Sequence, residues 1–166
     1  MARFLLLSLF IPVVAASGCR SPRVELTNQQ KQLAADSESV IDDYLAQNIE
    51  RPGFGGKVFC SHKALDIEDK GERVNEYVFA LCQEYRARDG GLSEGTGTAI
   101  PVVIQMERRG QSYQVVAQQV PGDSPRFASD VKRMFPEKTH NEIFYGNRSD
   151  LIAAAERRAK TYYGIQ

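Results

Sequence analysis

The chain has 166 residues, with 21 lysines and arginines against 21 aspartates and glutamates, three cysteines and no tryptophan. A balance of this kind excludes the basic footprint that nucleic-acid binding favours, and the length suits one hydrophobic core. No internal repeat or low-complexity tract is present.

The chain opens MARFLLLSLFIPVVAASGC. One positive charge, Arg3, precedes an apolar run from Phe4 to Ala16 that only Ser8 and Pro12 interrupt, and the small residues Ala15 to Gly18 follow. This is the order of a secretory signal over residues 1–18. The run is about 13 residues long, whereas a membrane-spanning helix needs about 20. Ala16-Ser17-Gly18-Cys19 resembles the lipobox of bacterial lipoproteins, with alanine where leucine is commonest. The resemblance implies cleavage between Gly18 and Cys19 and a diacylglycerol on the Cys19 sulfur. Two or more acyl chains hold a protein stably on a bilayer. Residues 19–26 would then form a lipidated tether. Its seven residues from Arg20 to Leu26 reach about 25 Å at most, so the domain at 27–166 would sit close to the membrane. Removing 1–18 takes Arg3 with it and leaves 20 basic side chains against 21 acidic ones. Arg20, in place of the aspartate associated with inner-membrane retention, favours an outer membrane where one is present; either membrane gives a lipid-anchored, extracytoplasmic address.

The first predicted element is a helix. Thr27 with Gln30 suits a capping box, and Leu33, Val40, Ile41, Tyr44, Leu45 and Ile49 recur at helical spacing up to Pro52. Two strands follow. In Lys57–Asp69, Val58, Cys60, His62 and Ala64 share one face, while Phe59, Ser61, Lys63, Leu65 and Ile67 share the other. In Arg73–Arg86, Val78, Ala80, Cys82 and Glu84 lie on one face, and Tyr77, Phe79, Leu81 and Tyr85 on the other. A turn about Gly71 makes them a hairpin. Asp89–Gly97 reads as a glycine-rich loop. A second hairpin is predicted over Thr98–Val120, turning at Arg109-Gly110, with Met106 opposite Tyr113, Ile104 opposite Val115 and Val102 opposite Ala117. Pro101, lacking a donor, belongs near a strand start or at an edge. Ser124 and Pro125 read as the cap and first position of a helix ending near Phe135. A short turn covers Asn141–Tyr145. Ser149 opens a last helix lined by Leu151, Ile152, Ala155, Ala159 and Tyr162, with Gly164 as terminator.

This order predicts an α+β domain: an N-terminal helix packed on a four-stranded antiparallel meander, followed by C-terminal helices. At fold level it resembles the cystatin-like and nuclear transport factor two-like architectures. Gln114-Val115-Val116-Ala117-Gln118 nevertheless lacks the closing glycine of the cystatin inhibitory loop. The stretch VFALCQEYRARDGGLSEGTGTAIPVVI, continuing to DVKRMFP (78–136), resembles a domain family of unknown function in small bacterial lipoproteins. Neither resemblance carries over a catalytic residue.

The candidate chemistry centres on Cys60 and Cys82, which a turn about Gly71 places opposite each other. Export and an even cysteine count favour a disulfide; two buried free thiols are the alternative. His62 and Glu84 share that face, so a Cys–His–Cys–Glu zinc site is conceivable, although the two flank the cysteines from opposite sides. A Cys60 nucleophile activated by His62 lacks an orienting third group, and the plainer reading is a partly exposed histidine beside a structural cysteine. Gly95-Thr96-Gly97 could nest an anion, but a strand, not a helix, follows. His140, the run Glu107-Arg108-Arg109 and the run Glu156-Arg157-Arg158 read as solvated surface, and Tyr162 and Tyr163 as core edge. No catalytic set and no cofactor is called for. The sequence therefore points to a non-enzymatic envelope lipoprotein that touches the bilayer through acylated Cys19 and binds an envelope protein or cell-wall partner. The alternative is a small-molecule carrier or sensor with a pocket between the sheet and the first helix.

Overall fold

The computed structural model describes residues 25–166. The leader at 1–18, the lipidation site Cys19 and most of the tether lie outside the described residues.

Helix α1 (Asn28–Asn48) begins where the capping box puts it. Thr27 Oγ1 accepts from the Gln30 amide at 3.2 Å, and Gln30 Oε1 accepts from the Thr27 amide at 2.9 Å. Strands β1 (Lys57–Asp69), β2 (Arg73–Arg88), β3 (Gly91–Arg109) and β4 (Ser112–Gln119) form one antiparallel sheet in chain order, so β1 and β4 are its edges. Helices α2 (Phe127–Met134), α3 (His140–Tyr145) and α4 (Ser149–Tyr163) complete the chain, with one 3-10 turn at Glu137–Thr139 before α3. Gly164, in the left-handed region, ends α4. The architecture is the α+β arrangement that the element order predicts.

Three expectations of local structure are corrected. The glycine-rich stretch is strand rather than loop: β3 begins at Gly91, and the turn is Asp89-Gly90, with φ of 52° and 77°. Positive φ at both central residues is the type I′ geometry that Asp-Gly favours. Gly95 and Gly97 sit within the strand because the side chains of Glu84 and Gln83 lie where their Cβ atoms would be. In the next hairpin the loop is Gly110-Gln111, and Met106 faces Val115, not Tyr113. A bulge at Val116 then sets Ile104 opposite Gln118, so the other two expected pairs do not form. Finally, α2 starts at Phe127, because a turn closed by the Arg126 amide on the Asp123 carbonyl occupies the Ser124-Pro125 segment.

The sheet is the middle of three layers. On one face α1 packs Leu33, Ile41 and Leu45 on Val58, Val74, Val78, Val102, Ile104 and Met106. On the other, Val131, Phe135, Ile143 and Leu151 from α2–α4 cover Leu65, Tyr77, Phe79 and Val103. Ala155 and Ala159 of α4 cover Phe59 and Tyr85. This double covering explains why β1 and β2 are buried on both faces. A bulge at Leu65 exchanges the faces near the turn, so Ile67 joins the α1 side instead of staying with Leu65.

Candidate functional site

Cys60 and Cys82 stand opposite each other and are joined by a disulfide. The pairing comes from two offsets that cancel. Next to the turn, Asp69 faces Val74 and Asp66 faces Tyr77, one residue out of step with a turn about Gly71, and the bulge at Leu65 restores the step before Cys60 is reached. The disulfide consumes both thiols, which removes the nucleophile and the two sulfur ligands of the zinc alternative. His62 and Glu84 do not join them either. Each makes its own buried site on a different side of the bond.

His62 lies at the junction of α1, β1, β2 and α4, and its side chain is only 3 % exposed, against the expectation of a partly exposed ring. Its Nδ1 is 2.6 Å from Asp42 Oδ1, and its Nε2 is 3.6 Å from Glu76 Oε1. Ser37 donates to the other Glu76 oxygen at 2.9 Å, while Glu76 Oε1 has no hydrogen-bond partner. Arg158 reaches from α4 to Asp42 and, at 3.0 Å, to Asp43. A neutral imidazole has one N–H, so carboxylates on both ring nitrogens call for the imidazolium. Burial opposes that charge, but the hydrogen bond with Asp42 and attraction to Asp42 and Glu76 outweigh it and raise His62 from an ordinary 6.5 to about 9. The site is a neutralised ionic knot without an activated nucleophile. The one proton of the Ser37 hydroxyl is shared between the Leu33 carbonyl and Glu76, each 2.9 Å away, and Ser61 donates to the Leu151 carbonyl.

Glu84 is the second site. Its carboxylate accepts from the amides of Gly53, Phe54, Gly56 and Thr96 and from the Thr96 hydroxyl, at 2.7 to 3.1 Å. Burial would raise this acid, yet the backbone donors dominate and hold it at about 2. The anion nest considered at Gly95-Thr96-Gly97 is therefore real in part, but its anion is the protein's own Glu84. This contact pins the Arg51–Gly56 turn to β2.

Between α1, the start of β1 and α4 lies a cleft of about 1200 Å³. Ala46, Gln47 and Asp43 form one wall, Arg157, Thr161 and Tyr162 the other, and β1 from Lys57 to His62 the floor. Tyr162 is half exposed, with the Lys57 ammonium 4.1 Å from its ring centroid. Tyr163 is the core-edge residue expected of it, donating to the Tyr85 carbonyl at 2.9 Å. His140 is not mere surface: its Nε2 lies 2.9 Å from the Phe135 carbonyl and ties α3 to the end of α2.

Comparison with protein-family models, with curated proteins and with solved structures finds no match to this chain. The site is thus read from its own geometry. Sequence reasoning placed Cys60, Cys82, His62 and Glu84 on one face. It missed Asp42, Glu76, Ser37 and Arg158, and the signal for the first three was their place at inward positions of α1 and β2. Arg158 lies 116 residues from Asp42, and no local pattern links them.

Proposed function

We propose that the chain is a membrane-anchored lipoprotein of a bacterial cell envelope, held by acylated Cys19, and that its domain binds a protein or cell-wall partner without catalysing a reaction. One observation carries the reading. The disulfide takes two of the three cysteines and leaves Cys19, in its lipobox-like setting, as the third. A disulfide is at home in an exporting compartment, which agrees with a leader that ends at that cysteine. Among the described residues no helix is long and apolar enough to cross a membrane, so in this reading attachment falls to the lipid. The absence of catalysis is supported by the ionic knot, where each carboxylate at His62 also serves packing between elements.

The carrier alternative needs space between α1 and the sheet. That space is filled by Leu33, Ile41, Leu45 and the side chains beneath them, and the open volume lies instead at the β1 edge. A surface cleft suits a partner better than an enclosed ligand.

Fractionation and intact-mass measurement test the address. The expected result is membrane residence, a mature chain starting at Cys19 and a diacylglycerol mass on it, with Cys19→Ala released from the membrane. An intact leader or an unmodified thiol on a membrane-free protein would overturn the reading. Crosslinking in intact cells, repeated with Cys19→Ala, tests the binding role.

A further inference from the structure

We draw no further inference here: the strongest candidate, the cleft between α1, the start of β1 and α4, is crossed by Arg158 on its way to Asp42 and Asp43 and is lined by as many acidic as basic side chains, so nothing in the structure shows what covers it.

Discussion

His62 carries a positive charge into the interior because Asp42 and Glu76 face its two ring nitrogens. Its folded value, about 9, lies above the ordinary 6.5, so its contribution to stability is complete below pH 6.5 and is lost as pH rises from there through 9. The loss should reach on the order of 3 kcal/mol at most. Urea unfolding at pH 6 and pH 9.5 checks it, and His62→Gln should lower stability at pH 6 and flatten the slope. Glu84 works in the opposite window. Held at about 2 against an ordinary 4.5, it contributes above pH 4.5, and the contribution disappears as pH falls from 4.5 to 2. Glu84→Gln should flatten that acid limb, and limited proteolysis should find the Arg51–Gly56 turn loosened. The Glu84 nest was half legible: Gly95-Thr96-Gly97 offered backbone amides to an anion, but nothing local named Glu84 as that anion or brought the Arg51–Gly56 turn to it. The knot was less so. Asp42 follows the core residue Ile41 and reads as the helix's solvated flank until α4 is known to pack there.

At the scale of elements, the β1–β2 hairpin shows how pattern and geometry combine. Alternation placed Cys60 and Cys82 on one face; the turn by itself leaves the strands one residue out of step, and the bulge at Leu65 brings the two cysteines opposite each other. The bulge at Leu65 escaped detection because Leu65 and Ile67, two residues apart, read as one apolar face, whereas the bulge leaves Leu65 under α2–α4 and sends Ile67 to the α1 side. The disulfide closes a loop of 22 residues. Replacing both cysteines by alanine should therefore cost about 3 kcal/mol through the entropy of the unfolded chain, measured as a fall in urea midpoint under non-reducing conditions. The second hairpin fared differently. Its loop is set by Gly110, whose φ is +65°, and moving that glycine from the second loop position to the first changes every pairing by two. α1 needed no tertiary information for its start, since a capping box is a local hydrogen-bond exchange.

For the whole molecule, the consequence of three layers is that α4 approaches β1 and β2 through alanines. Ala155 and Ala159 have no exposed surface and lie against Phe59 and Tyr85. Ala159→Leu should overpack this contact and destabilise by about 1–3 kcal/mol. Ile152→Ala, on the same helix but 47 % exposed, should stay within about 0.5 kcal/mol. Thermal melts of the two variants beside the parent decide this. Amphipathic spacing grouped Ile152 with the alanines because leucine-like residues weigh most in a sequence pattern. Packing weighs fit, and small side chains are what let the helix come close to two aromatic rings.

What the chain order alone determined is whatever rests on neighbours within a few residues: the cap of α1, the alternation of the strands and the antiparallel meander. Those features depend on backbone periodicity and short turns, and both are written locally. Only the tertiary structure decided where α4 goes, and with it the salt bridges of Arg158, the burial of His62 and the cleft over the β1 edge. The reason is physical: charged side chains on separate helices carry no mark of their partners, and which of them meet is settled by how the apolar faces of the sheet are covered.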